Sequence, residues 1–352
     1  MEFSTFVKES KPLIEKNILN YLNTQPILTS VSPWGEDFRE RIKAIAAQGK
    51  MIRGILVLLG YRMFGGADEK ALPLASALEL FHTSLLIHDD IMDQDELRRG
   101  QKTLYKQYQD LAKNRGLTNS SRTGESLGIC AGDLGFFLGF DLLSTVDATP
   151  DIKQKLQRSI SHELTLVGLG QIQDVALGAS TATPTEEEIL NVYRFKTARY
   201  TFSLPLMIGA MLAGADEKQL NTIEKAGETL GIIFQIKDDE LGIFGNEKQT
   251  GKPVGSDLRE GKKTLYYLYL SQIPDPTAQH KLAAILGNKN IGDNEIAFIQ
   301  QIITEHHIND KIIAYVERLS KKYTAEYESL LIHDNDKKIF QELLDYTTGR
   351  SS

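Results

Sequence analysis

Apolar side chains recur at three- and four-residue intervals through residues 68–93, which predicts an amphipathic helix ending in a polar cluster. Thr183-Pro184-Thr185-Glu186 reads as a capping box with proline at the first helical position, so a helix is expected to start there. Its buried stripe then runs through Ile189, Val192, Tyr193 and Lys196. Residues 216–242 predict another long helix, and 294–347 read as helical and more polar. Alternating runs with hairpin signals are nearly absent, so the chain reads as all-α. No repeat of fixed period is visible, and no Pro/Ser-rich linker divides the sequence. The expectation is one domain over residues 1–352, a single large helical bundle, with a surface excursion at 113–126. Within that excursion, Asn119-Ser120-Ser121 fits a glycosylation pattern and is read as a chance match.

Composition narrows the class. The 352 residues are 41% hydrophobic and 25% charged, which excludes collagen-like and wholly disordered chains. One cysteine, Cys130, cannot close an internal disulfide, so a reducing compartment is expected. A formal charge of −7 leaves no footprint for nucleic acid or anionic lipid. No uninterrupted apolar run reaches the roughly eighteen residues of a membrane span, and the start lacks a signal-peptide pattern. The default expectation is a cytoplasmic protein without a membrane span.

Candidate chemistry starts at His88-Asp89-Asp90-Ile91-Met92-Asp93, at the end of an otherwise apolar helix. Asp89 and Asp93 are i,i+4 neighbours, with Cβ atoms roughly 5–6 Å apart on one face. Two carboxylates so placed can grip a hard divalent cation and leave it open ligand positions. His82 lies on the same stripe. A solvated acidic helix end is the plain alternative for one such cluster. A second cluster, Gln235-Ile236-Lys237-Asp238-Asp239-Glu240, again follows an apolar helix, with Gln235, Asp238, Asp239 and Gly242 on one continuous face. The repetition carries more weight than either pair.

Basic groups accompany the acids. They are Lys50 and Arg53 heading the apolar run Ile55–Leu59, Arg98-Arg99-Gly100, Lys196-Thr197, and the glycine-punctuated stretch from Gly251-Lys252-Pro253 to Gly261-Lys262-Lys263-Thr264. Each alone is an ordinary surface charge. Together with an acid-bound divalent metal they suit a polyanionic diphosphate.

These residues in this order resemble the trans-isoprenyl diphosphate synthases of the polyprenyl synthetase family. Asp89-Asp90-Ile91-Met92-Asp93 resembles its first aspartate-rich motif in short form, and Asp238-Asp239-Glu240-Leu241-Gly242 its second. Gly132-Asp133, Gly170-Gln171-Ile172-Gln173-Asp174 and Lys196-Thr197 match motifs between them. The resemblance implies the all-α isoprenoid synthase fold with a central substrate cavity, and usually a homodimer. It implies an allylic diphosphate held through three Mg²⁺ ions, with Asp89, Asp93 and Asp238 as direct ligands. Asp90, Asp174 and Asp239 would act through water or neighbouring contacts. Arg98, Lys196 and Lys252, with Lys262 nearby, would bind the allylic diphosphate. Lys50, Arg53, His82 and Arg99 would bind isopentenyl diphosphate. Thr197 and the Gln235 amide oxygen would face the allylic cation.

Three departures stand out. Gly54 and Lys102 replace prolines common in the family and read as changes of loop geometry. Gly242 stands where many members have a third aspartate, which puts metal binding on that side in question. Other readings are a terpene cyclase, which would lack the second diphosphate site, and a phosphohydrolase built on His82 and His88-Asp89. A third is a non-catalytic partner subunit of a heteromeric synthase, which would be expected to lose the acidic ligands retained here. The resemblance also implies a ruler for product length, a chain that grows from the first aspartate motif down along the preceding helix: Ser84, five residues before Asp89, would let it pass, whereas Phe81 lies about 4.5 Å deeper on a similar face. The expected product is the C20 geranylgeranyl diphosphate, with farnesyl (C15) or C25-and-longer products as alternatives.

Overall fold

The structure is a computed structural model that describes residues 2–245, 254–330 and 334–349. Helix dominates, as the periodicity predicts. The described elements start with α1 (Phe3–Thr24), α2 (Trp34–Ala46), α3 (Ile52–Met63), α4 (Asp68–Met92), α5 (Leu104–Asn114), α6 (Ser120–Ser144) and α7 (Pro150–Ala179). They continue through α8 (Glu186–Val192), a π-helix (Tyr193–Ser203), α9 (Leu204–Leu212) and α10 (Glu217–Phe244). Shorter helices, Ser256–Glu260, Leu265–Ser271 and Pro276–Ile285, precede three C-terminal ones, Asp293–Glu305, Ile308–Glu328 and Asp334–Thr348.

The chain forms two compact units: Met1–Gln157 with Pro205–Ala215, and Arg158–Leu204 with Asp216–Ser352. In the first, α3 contributes the fully buried run Ile55–Leu58, and α4 contributes Leu74, Leu78, Phe81 and Ile87. α4 packs tightly on α6 because α6 presents glycines to it. A Cβ on Gly132 would stand 2.2 Å from His88 Nε2, one on Gly135 2.3 Å from Ser84 Oγ, and one on Gly139 2.6 Å from the Phe81 ring. In the second unit, Tyr193, Ile232, Ile236, Leu265, Tyr266, Ile299 and Ile303 form the core.

The structure refines several sequence expectations. The capping box sits two residues later than read: Thr185 caps α8, and Glu188 answers it from the third helical position. Proline therefore precedes the cap instead of opening the helix. Most of the expected excursion 113–126 is helical, because Asn119, at φ 46°, accepts a bond from the Arg122 N–H and starts α6 at Ser120. Neither proline replacement lies in an irregular loop. Gly54 is in the first turn of α3, and Lys102 lies on a strand and pairs with Asp110 at 2.5 Å. By length and composition Glu69–Met92 and Ser120–Ser144 could cross a membrane, because scattered polar residues do not offset their apolar content. In this structure 67% and 44% of their most apolar stretches are buried inside the protein.

Candidate active site

In the first unit, α4 ends in the first aspartate cluster, with Asp93 as its C-cap and Asp90 buried. The chain then makes a two-residue hairpin, Leu97–Arg98 paired with Gln101–Lys102, whose corner residues Arg99 and Gly100 both take positive φ. That corner is the turn a tight right-twisted hairpin requires. It also separates the arginines. Arg98 turns in, its Nε 2.5 Å from Asp90 Oδ1 and Nη2 3.8 Å from Asp89 and 3.7 Å from Asp95, while Arg99 stays exposed. Burial raises the Asp90 pKa to about 6, with Arg98 opposing the rise.

Lys50 and Arg53 flank Met51, a buried non-glycine residue at φ 52° that starts α3. Left-handed backbone at such a residue costs about 1–2 kcal/mol, and such strain clusters where geometry serves function. Buried Glu79 of α4 accepts the Gly54 N–H at 2.8 Å. Burial raises the Glu79 pKa, and the neighbouring backbone N–H groups and Arg53 counter it. His82 lies on the face of α4 that also carries Leu85, Leu86 and Asp89, all partly accessible. Burial, then the charges of Arg53, Arg99 and Arg98, hold His82 well below the ordinary imidazole range, so it is neutral at pH 7. The structure therefore gathers His82 with the three arginines. His88 instead contacts α6, its Nε2 3.1 Å from the Ile129 carbonyl and 3.5 Å from Asp133.

In the second unit, Lys196 and Thr197 stand on the π-helix, whose i→i+5 bonding is rare and recurs at functional sites. Glycines on both neighbours admit it. A Cβ on Gly170 of α7 would lie 2.7 Å from Lys196 N, and one on Gly231 of α10 2.4 Å from Ala198 Cα. Lys196 Nζ is 2.5 Å from Asp174 Oδ2. On α10, Asp238 is exposed and Asp239 buried. Asp239 accepts from Tyr193 Oη and, at 2.8 Å, from the Gln235 amide nitrogen. Because a carboxylate accepts only from the NH₂ end, this bond orients the Gln235 oxygen away from Asp239. Burial, then the Asp257 carboxylate, raise the Asp239 pKa, and the Tyr193 and Gln235 bonds oppose them.

Two residues with roles here carried no clear sequence signal. The helical pattern places Tyr193 on a core stripe, yet its hydroxyl links Asp239 to the Leu265 N–H at 3.0 Å. Asp257 was one polar residue of a basic stretch. Its Oδ2 lies 2.7 Å from where a Cβ on Gly242 would be, so a carboxylate borrowed from another segment fills the space of the missing third aspartate. Lys262 pairs with Glu260 at 3.0 Å and lies 3.6 Å from Asp257. Lys252 falls outside the described residues.

Among the described residues no three His, Cys, Asp or Glu side chains form a ready-made metal cage. The accessible donors, Asp89, Asp93 and Asp238, offer oxygen alone. Within each unit such donors suit Mg²⁺, which commonly takes one or two carboxylates and completes its shell with water and substrate phosphates.

Residues 36–303 match the polyprenyl synthetase family. The chain is 34% identical over 284 residues to a short chain isoprenyl diphosphate synthase of Methanocaldococcus jannaschii, covering 81% of each chain. It is 30% identical over 348 residues to a geranylfarnesyl diphosphate synthase of Aeropyrum pernix, covering 96% of this chain and 99% of that one. A geranylgeranyl pyrophosphate synthase of Corynebacterium glutamicum, complexed with isoprenyl diphosphate and magnesium, superposes with a TM-score of 0.91. That match has 26% identity and covers 99% of this chain and 100% of the other. The chain belongs to the polyprenyl synthetase family. It is a trans-prenyl diphosphate synthase, a prenyltransferase.

Proposed function

We propose that the protein joins an allylic diphosphate to isopentenyl diphosphate and that its main product is C20 geranylgeranyl diphosphate. The supporting observation is Phe81. It is fully buried on α4, with its ring 4.8 Å from that of Phe140 and 6.3 Å from that of Phe136. This aromatic layer lies three residues before Ser84, whose small side chain is itself buried against Gly135 of α6. Phe81→Ala is expected to shift the product toward C25 and longer, read by chromatography of the dephosphorylated products. An unchanged distribution would move the stop to another wall. The Aeropyrum pernix relative, named for a geranylfarnesyl product, makes C25 the chief alternative. Incubation with Mg²⁺, labelled isopentenyl diphosphate and separate allylic primers tests the whole reading. A failure to extend any primer would favour the partner-subunit alternative.

Asp89, Asp93 and Asp238 would hold magnesium, three ions with diphosphate bound, while Asp90, Asp174 and Asp239 orient those ligands or water. Magnesium held there would supply positive charge to the allylic diphosphate. Arg98, Lys196, Lys252 and Lys262 bind the allylic diphosphate and stabilise the charge it gains as it departs. Thr197 and the Gln235 oxygen face the allylic cation, and apolar walls exclude the water that would quench it. Lys50, Arg53, Arg99 and neutral His82 hold isopentenyl diphosphate, whose double bond attacks the cation. The released diphosphate takes the proton lost afterwards.

Lys50→Ala and Arg53→Ala are expected to raise the Michaelis constant for isopentenyl diphosphate by about 10-fold or more, as loss of a charge-assisted contact implies, and that for the primer less. Lys252→Ala should do the reverse. Equal effects on both substrates would overturn the assignment.

Homodimerisation in the cytoplasm completes the proposal. On α6 Ile129, Leu134 and Phe137 are exposed, Phe137 to 67%, and on α7 Leu169, Ile172 and Val175 are exposed as well. Apolar rows of this kind commonly mark interfaces. Sedimentation should give a dimer that Phe137→Glu weakens; a monomeric parent protein would refute it.

A further inference from the structure

Arg199, two residues past Thr197 on the π-helix, sits at the centre of a charge cluster that the proposed chemistry does not use. Its Nη2 and Nε grip both oxygens of Glu163 at 2.5 and 3.1 Å, and Nη2 also reaches Glu224 Oε1 at 2.5 Å. Its Nη1 reaches Glu228 Oε2 at 3.1 Å, and the other oxygen of Glu228 accepts from Arg194 Nε at 2.8 Å. Glu163 belongs to α7, and Glu224 and Glu228 to α10. One guanidinium thus ties the π-helix to the helices on both of its flanks. The Glu163 side chain is only 3% exposed and that of Arg199 14%, so the bonds are shielded from water.

The π-helix needs such support. The α-helix is the default for this backbone, and a π-turn persists where its surroundings hold it. Ser203 adds a bond to the Glu224 carbonyl at 2.8 Å. If the turn relaxed by one residue, the side chains beyond the slip would rotate by about 100°. Lys196 would then leave Asp174, and Thr197 would leave its present face. Anchoring is therefore most useful close to these two residues, where Arg199 provides it.

We propose that Arg199 is a positioning residue for prenyl transfer, clasping Glu163, Glu224 and Glu228 so that the π-helix presents Lys196 and Thr197 to the allylic substrate. The proposal rests on the reading that Lys196 and Thr197 serve that substrate. Arg199 itself touches no reacting atom.

The test compares Arg199→Met, Arg199→Lys and the double variant Arg199→Met/Glu163→Gln by steady-state kinetics and thermal unfolding. Misplacement of the π-helix should lower kcat about 100-fold in Arg199→Met and leave the KM for isopentenyl diphosphate within about twofold. Arg199→Lys, with the charge but not the fork, should retain an intermediate kcat. The double variant removes the buried unpaired carboxylate, so it should regain Tm without regaining kcat. Recovery of kcat together with Tm would mean that the cluster only stabilises the fold and would overturn the proposal. So would an unchanged kcat in Arg199→Met. If Arg199→Met does not fold, Arg199→Lys and the double variant decide between the same outcomes. Lys196→Ala separates the two layers: an unchanged kcat there would refute the underlying reading, whatever Arg199 does.

Discussion

Asp89→Ala and Asp238→Ala are each expected to lower turnover by about a thousandfold, the equivalent of roughly 4 kcal/mol of lost charge stabilisation. Asp89 sits in the last turn of α4 and Asp238 six residues before the end of α10, and both carboxylates are accessible to solvent. Neither anchors a core. Asp238 is exposed, and Arg98 lies 3.8 Å from Asp89 but keeps its closer bond to Asp90. Thermal unfolding should therefore move little while kcat collapses. Excess Mg²⁺ should restore part of the activity of a single variant, because the remaining carboxylates still attract the ion. Near-normal turnover in the Asp89→Ala/Asp238→Ala double variant would sink the metal assignment.

The second large effect is expected from one methyl group. Gly231→Ala should gain up to about 1 kcal/mol of helix propensity in α10. It must also place a Cβ 2.4 Å from Ala198 Cα and 2.8 Å from the Ala198 carbonyl oxygen, both backbone atoms that no rotamer change can clear. Overpacking of that kind costs about 1–3 kcal/mol, and here sterics win. The π-helix should shift on α10, with stability lower by about 2 kcal/mol and turnover by about 100-fold. Gly178→Ala on α7 has open space around the new methyl and should be neutral or stabilising by up to about 1 kcal/mol. Chemical denaturation of the two variants checks the difference in sign. Equal stabilities would show that α10 and the π-helix give way easily.

Helical periodicity made α4 and α10 legible within a residue or two, because long apolar stripes on a 3.6-residue period have few rival explanations. The aspartate clusters were legible for a related reason: charges set on apolar helices call for partners. The π-helix was not. Its composition is ordinary, and the extra residue per turn is set by Gly170, Gly227 and Gly231 on other helices, which a local pattern cannot report. The sequence pattern places Tyr193 in the core, and its burial agrees with that, but the hydroxyl that links Asp239 to Leu265 depends on a contact 46 residues away in sequence. Asp257 escaped for the same reason: its relation to Gly242 exists only once the chain has turned back.

The seam between α4 and α6 has a consequence for laboratory evolution. The depth at which Phe81 lies depends on Gly139, whose missing methyl leaves the space that the ring occupies. A library restricted to residues beside the aspartates would never sample that position. Selection for altered chain length should therefore return hits on α6 as well as α4. An alanine at 139 would move the Phe81 ring from the opposite side, so distance from the diphosphate is a poor guide to which mutations retune the catalyst.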